Sequence, residues 1–363
     1  MKIDVKKPYN ELPNLPPKKD IESKKILKKC IQARVALAEL KKAAELLPNQ
    51  SVLINTLPLL EAQASSEIEN IVTTTDKLFQ YANSISETHT DSATKEALRY
   101  RSALREGFKV IKSRPINTVL AEDLCSTLRG MEMKVRKVSG ITLSNQSTGK
   151  IIYTPPEGEA LLREKLYNWE IFLHDQSDVD PLVKMAVSHY QFEAIHPFID
   201  GNGRTGRILN ILYLIEQGLL NIPVLYLSRY IIKNKKEYYQ NLLNVTLEKD
   251  WEAWIIYMLD AVENTSVWTC RKIKAIVGLM EETINNVKAK LPKVYSRELV
   301  ELLFVQPYCR IVNLVDEGIA KRQTASEYLK KLVSENILKE IEVGREKIYI
   351  NIRFMDILFQ EGS

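Results

Sequence analysis

The chain has 363 residues, room for two or three domains, and a hydrophobic share of 45%, ordinary for a water-borne globular protein. Its net charge of +5 is spread over 51 basic and 46 acidic side chains, too mild by itself to argue for nucleic acid. The four cysteines, Cys30, Cys125, Cys270 and Cys309, are scattered and form no C-x-x-C, which excludes a disulfide frame or a zinc knuckle and suits a reducing, cytoplasmic setting. Met1-Lys2-Ile3-Asp4 lacks the apolar run of a signal peptide, and no run approaches the ~20 residues of a membrane span.

Few glycines and an abundance of leucine, lysine, alanine and glutamate predict a mainly helical fold. The first thirty residues hold nine lysines against four acids and are broken by Pro8, Pro13, Pro16 and Pro17, so they read as an extended basic arm lying solvated on the surface. A helix is predicted from Ile21 to Leu47. A second runs from Ser51 to about Ile71, with a kink at Pro58. It carries Ser65-Ser66-Glu67-Ile68-Glu69-Asn70, where Ser65 and Glu69, four apart, share one face. Helical patterns continue from Thr75 to about Val119, with breaks near Ser84–Thr94 and at Ser113-Arg114-Pro115.

From Val138 to Pro156, two short β-type runs flank a polar turn, which reads as a hairpin. Amphipathic helices follow at Gly158–His174 and Pro181–Ile195. His189 on the second of these reads as a packing histidine. Next comes His196-Pro197-Phe198-Ile199-Asp200-Gly201-Asn202-Gly203-Arg204-Thr205-Gly206-Arg207. Glycines let backbone N–H groups crowd round an anion, and a helix starting just after them adds its positive end. Arginines fork onto phosphate oxygens. Asp200 is a hard oxygen ligand suited to Mg2+, and His196 can take a proton near neutral pH. These residue types together predict a site for a nucleotide phosphate. The same letters contain G-x-G-x-x-G, but the preceding run reads as helix and Leu225-Tyr226-Leu227-Ser228 offers no ribose-binding acid, against a dinucleotide fold. A plain glycine-rich turn between core helices is the remaining alternative.

Ile208–Gly218 is apolar all round and reads as a central buried helix. Asn221–Leu259 supplies further helices, with aromatics at Tyr238-Tyr239 and Trp251-Glu252-Ala253-Trp254. Ala261 to about Leu291 reads as a long charged linker helix. Beyond Pro292, helical segments at Arg297–Gln306, Arg310–Gly318 and Arg322–Asn336 precede a hairpin over Ile337–Tyr349 that turns at Gly344. That order is a winged helix-turn-helix. Its eleven basic and eleven acidic residues from Lys293 to Ser363 suit a protein-docking unit as well as a DNA reader. The expected layout is an N-terminal helical region (1–110), a catalytic core (111–260), the linker (261–291) and the winged unit (292–363).

The twelve residues from His196 to Arg207 resemble the signature of Fic-domain proteins, H-x-F-x-[D/E]-G-N-G-R-x-x-R, at every defined position. The resemblance implies a Fic-type helical core that transfers AMP from ATP to a Ser, Thr or Tyr hydroxyl of a protein. It implies His196 as general base and Asp200 as the Mg2+ ligand. Phe198 would anchor the loop. Gly201, Asn202, Gly203, Arg204, Thr205, Gly206 and Arg207 would form the nucleotide site, with Arg207 on the terminal phosphate, and Tyr239 would line the adenine pocket. The hairpin resembles the flap that docks a target backbone, a task that strand addition suits. Ser65, Glu69 and Asn70 resemble the inhibitory motif [S/T]-x-x-x-E-[G/N], so Glu69 would form a bidentate pair with Arg207. Expected partners are ATP, a protein substrate that can be the chain itself, a second copy in a homodimer, and DNA at the winged unit, with no membrane. The competing readings are transfer or removal of another phosphate-bearing group, and a transcription regulator with the core as nucleotide sensor.

Overall fold

A computed structural model describes residues 3–82, 90–144, 148–343 and 346–359. The turn expected at Gly344 and residues 84–89 of the predicted polar break lie outside them. The helices in chain order are α1 (Lys24–Ala44), α2 (Ser51–Ile68), α3 (Thr75–Tyr81), α4 (Ser92–Val110) and α5 (Thr118–Arg129). Strands β1 (Leu143–Ser144) and β2 (Ile151–Tyr153) come next, paired antiparallel. Helices α6 (Glu159–His174), α7 (Pro181–Ile195), α8 (Asn202–Glu216), α9 (Leu227–Lys233), α10 (Lys235–Glu248) and α11 (Trp251–Lys290) complete the central body. The C-terminal unit runs α12 (Arg297–Val305), β3 (Tyr308–Cys309), α13 (Ile311–Asp316), α14 (Arg322–Ser334), β4 (Lys339–Val343), β5 (Glu346–Ile350) and α15 (Ile352–Phe359), with sheet order β3-β5-β4. No described helix is long and apolar enough to cross a membrane.

Helix ends follow local chemistry. Ser23, Thr74, Asp91, Asn117 and Ser296 each accept a backbone N–H as N-caps of α1, α3, α4, α5 and α12. Asp180 does the same for α7, with Pro181 at its first position. Gly130 ends α5 in the left-handed conformation, at φ 67°. Helices α7 and α8 are buried on almost every side, from Leu182 to Ile195 and from Ile208 to Leu214. They pack on each other and fix the loop between them.

Three expectations change. The N-terminal arm is docked, because Leu12, Leu15 and Ile21 are buried and anchor it to the core. Its Tyr9 N–H donates to Thr154 O at 3.0 Å, and Asn10 Oδ1 accepts from Glu157 N at 3.0 Å, tying it to the segment after β2. The predicted linker is instead the second half of α11, a single 40-residue helix that buries Val262, Trp268, Ile273, Ile276, Leu279 and Met280 and packs along α1. A solvated linker has no such apolar face. The central helix starts six residues before Ile208, at Asn202, so Gly203 and Gly206 lie inside its first two turns.

Candidate active site

His196 closes α7 in the left-handed conformation, at φ 51°, unusual for a residue with a side chain. Phe198 follows, fully buried against Phe192 at 6.2 Å between ring centroids, and pins the loop as expected. The Asn202 amide then closes it. Phe198 N donates to its Oδ1 at 2.8 Å, and its Nδ2 donates to Phe198 O at 2.8 Å. The Asn202 side chain is thus engaged in the loop itself. Gly201 is the N-cap of α8 at φ 84°, a conformation that glycine adopts freely. The α8 ladder begins with Thr205 N to Gly201 O at 3.0 Å, which leaves the N–H groups of Asn202, Gly203 and Arg204 for a ligand. Thr205 is fully buried beside the Cys125 thiol, so its side chain faces the core.

The charged residues form two clusters. In the first, Glu96 Oε1 holds both Arg129 Nη1 at 2.8 Å and Arg204 Nη1 at 2.5 Å. Arg129 Nη1 also lies 2.9 Å from Asp200 Oδ2, and Arg204 Nη2 lies 3.8 Å from Asp200 Oδ1. The Asp200 side chain is 54% exposed. No three His, Cys, Asp or Glu side chains converge on one point among the described residues. Asp200 Oδ1 accepts from Gly201 N at 2.5 Å and Oδ2 meets Arg129, so the exposed carboxylate is held at the start of α8. One such hard-oxygen side chain fits Mg2+, which is usually held by one or two carboxylates plus substrate phosphates.

The second cluster surrounds Arg207, which is 1% exposed. Its Nε donates to Ser65 Oγ at 2.8 Å, and its Nη2 donates to Ser65 O at 2.9 Å and to Glu69 Oε1 at 2.7 Å. The pair is therefore not the expected bidentate fork: Ser65 and Glu69 divide the guanidinium between them. Burial works against the cation, but the Glu69 charge and neighbouring tyrosines and Glu193 outweigh it and raise its pKa. Gly203 makes the contact possible, since a Cβ there would lie 2.5 Å from Glu69 Oε1. Asn70 turns the chain at φ 61° just after α2, and Lys235 Nζ donates to its Oδ1 at 3.1 Å.

Helix α2 is fixed by Glu61, one turn before Ser65. This buried carboxylate accepts from Ser228 N at 2.9 Å, Ser228 Oγ at 2.5 Å and Tyr100 OH at 3.0 Å, joining α2 to α9 and α4. Of the adjacent tyrosines, Tyr238 is buried and its hydroxyl meets His189 Nε2 at 2.7 Å, while Tyr239 is 42% exposed. Tyr239 feels the charges of Glu69 and Arg207 and so stands on their side of the molecule. His189 is a core residue, stacked on Trp254 and held neutral by burial.

Burial, with help from the Arg136 charge, lowers the His196 pKa to about 4, against the pull of Glu69 and Asp200. The imidazole is neutral at pH 7 and can accept a proton. Burial raises the Glu193 carboxyl to about 8. Sequence reasoning did not single out Arg136, Arg129, Glu96, Glu61 or Glu193. Each is a lone charge on a helix or in a loop, and only the tertiary packing shows its partner.

A mainly helical body sets a histidine at the C-terminal end of one buried helix and a glycine-led N-terminus at the start of the next. Family models identify it further. The Fic/DOC family N-terminal model matches residues 27–109, the Fic/DOC family model matches 116–214, and the C-terminal domain model of protein adenylyltransferase SoFic-like matches 279–354. The chain belongs to the Fic/DOC family.

A probable protein adenylyltransferase of Aquifex aeolicus is 42% identical over 201 residues, 53% of this chain and 55% of that protein. The protein adenylyltransferase Fic of Drosophila virilis is 28% identical over 152 residues, 40% of this chain and 30% of that protein. The chain thus spans about half the length of the first relative and under a third of the second. A Fic family protein from Desulfovibrio desulfuricans shares the fold with a TM-score of 0.56 at 17% identity, over 92% of this chain and 98% of its own. A Fic-domain-containing signaling protein from Bacteroides thetaiotaomicron does so with 0.53 at 16% identity, over 67% of this chain and 97% of its own.

Proposed function

We propose that the chain is a protein adenylyltransferase held in check by its own Glu69. The observation that carries this reading is Arg207, at the end of the anion cradle, bonded to Glu69 and Ser65 within reach of the loop that bears His196. A target hydroxyl, or one of the chain's own, gives its proton to His196 and attacks the α-phosphorus of ATP. The new oxygen–phosphorus bond forms as the bond to the bridging oxygen breaks, and pyrophosphate leaves with that electron pair. The N–H groups of Asn202, Gly203 and Arg204 cradle phosphate oxygens, and Arg207 holds the terminal phosphate once Glu69 releases it. Asp200 would hold Mg2+, which balances charge on the phosphates. Tyr239, open and on the same side, is the candidate wall of the adenine pocket.

We read the unit from 292 to 363 as a winged helix, with Lys321 and Arg322 exposed at the start of α14. DNA binding there would favour the regulator reading, but the even charge of the unit favours protein docking. The test is incubation of the Glu69→Gly protein with radiolabelled ATP and a cell lysate, beside the same protein carrying His196→Ala. Label transferred in the first and absent in the second is the expected result. Equal labelling in both would overturn the proposal.

A further inference from the structure

Arg136 sits on the segment between α5 and the hairpin, 2% exposed. A buried arginine ordinarily faces a carboxylate. Arg136 has no carboxylate within ion-pair distance among the described residues, and its donors go to backbone carbonyls. Its Nε donates to His196 O at 2.8 Å. Its Nη2 donates to Pro156 O at 2.5 Å and reaches Ile195 O at 3.5 Å, and its Nη1 reaches Val138 O at 3.4 Å. Its own backbone N–H donates to Pro197 O at 2.8 Å. These acceptors fall into two groups. Ile195, His196 and Pro197 are the end of α7 and the start of the catalytic loop. Val138 and Pro156 are the two roots of the β1–β2 hairpin.

We propose that Arg136 is a positioning residue that holds His196 in its left-handed conformation and couples it to the roots of the hairpin. The inference rests on the reading of His196 as general base. A left-handed conformation costs a residue with a Cβ about 1–2 kcal/mol, so something must hold it. Carbonyls at a helix C-terminus carry the negative end of the dipole and lack partners within the helix. A planar guanidinium with five donors can bind several at once, whereas a lysine ammonium cannot reproduce that fork. Because the same group grips Val138 and Pro156, a target strand seated on the hairpin and the base that deprotonates its hydroxyl keep one fixed relation. Tyr153 strengthens the coupling, as its hydroxyl donates to Ala194 O at 2.9 Å.

The test uses the full chain with Glu69→Gly as parent, and adds Arg136→Ala, Arg136→Lys and, separately, His196→Ala. Transfer of label, ATP affinity and thermal melting are measured on each. Displacement of a catalytic group by about 1 Å typically costs about 100-fold. Arg136→Ala is therefore expected to lose about 100-fold in transfer rate while its ATP affinity stays within about threefold. Guanidinium at millimolar concentration should restore at least tenfold of that rate, and Arg136→Lys should recover less than guanidinium does. If the alanine variant does not fold, the lysine variant carries the comparison, with a lowered rate at unchanged ATP affinity as the expected outcome. Transfer within threefold of the parent in Arg136→Ala or Arg136→Lys, or a loss of ATP affinity in step with transfer, overturns the inference. His196→Ala separates the two failures. An active His196→Ala refutes the base itself, and an inactive one beside a fully active Arg136 variant refutes only the coupling.

Discussion

Glu69 Oε1 and Arg207 Nη2 stand 2.7 Å apart across 138 residues of sequence, inside a space that Gly203 keeps open. A charge-assisted hydrogen bond of this kind contributes about 1.5–3 kcal/mol. On the proposed reading the carboxylate and a terminal phosphate need the same guanidinium, so the bond would oppose productive nucleotide seating.

Replacing Glu69 with glycine is therefore expected to raise self-modification by about 10- to 100-fold. Ser65→Ala should raise it less, because the Ser65 carbonyl still accepts from Arg207 Nη2. Arg207→Ala should not raise it, since the phosphate ligand is lost together with the block. Autoradiography at matched Mg2+ and ATP ranks the three. A Glu69→Gly protein no more active than wild type would show that α2 is scaffold only.

Asp200→Ala should nearly abolish transfer by the Glu69→Gly protein and remove its dependence on divalent ions. Asp200 is the one carboxylate among the twelve loop residues, and Arg129 and Arg204 orient it. A Mg2+ titration of the labelling rate checks this. Unchanged activity or an unchanged Mg2+ midpoint would rule Asp200 out as the ligand.

With the His196 pKa near 4, the imidazole is already deprotonated at pH 6. The pH–rate profile for transfer should accordingly show no acid limb between pH 6 and 8. A limb with its midpoint near 6.5 would mean an imidazole exposed to solvent.

Glu193 gives a stability test of opposite sign. Its folded pKa is raised to about 8 from an ordinary 4.5, first by burial and then by the charge of Glu69. The folded state therefore binds the extra proton between those values. Its contribution is complete below pH 4.5 and is lost as pH rises through about 8, at no more than roughly 1.4 kcal/mol per pH unit. Glu193→Gln cannot ionise, so its melting temperature should gain on wild type from pH 5 to pH 9. Parallel curves would contradict the assignment.

The His196–Arg207 loop was readable in the sequence because its chemistry is local: Gly201, Asn202 and Phe198 act on neighbours within a few residues. Helix α7 was legible for the same reason, since Asp180 with Pro181 announces its own N-terminus, whereas α5 lies beyond the helical pattern read to about Val119 and its cap Asn117 went unread. What stayed hidden depends on contacts distant in sequence. Lysines and prolines dominate the N-terminal arm, and only the pockets that receive Leu12 and Leu15 convert it from tail to strap. Nothing near Glu61 announces that Ser228 will satisfy its carboxylate. The shared grip of Ser65 and Glu69 on Arg207 needs the depth of α2 relative to α8, which periodicity does not supply. Helix α15 also went unread, hidden in a short apolar run that resembles a strand.

Helix α11 spans about 60 Å at 1.5 Å per residue. It packs on α1, α7, α9 and α10 and also on α12 and α15. The C-terminal unit meets α3 as well, where Tyr308 bonds Asp76 and Arg310 Nη2 donates to Gln80 O at 2.9 Å. The three segments that family models match are thus joined through one continuous helix. Calorimetry should record a single unfolding transition. Deletion of residues 292–363 would strip the cover from α2 and α3 and lower the melting point of what remains.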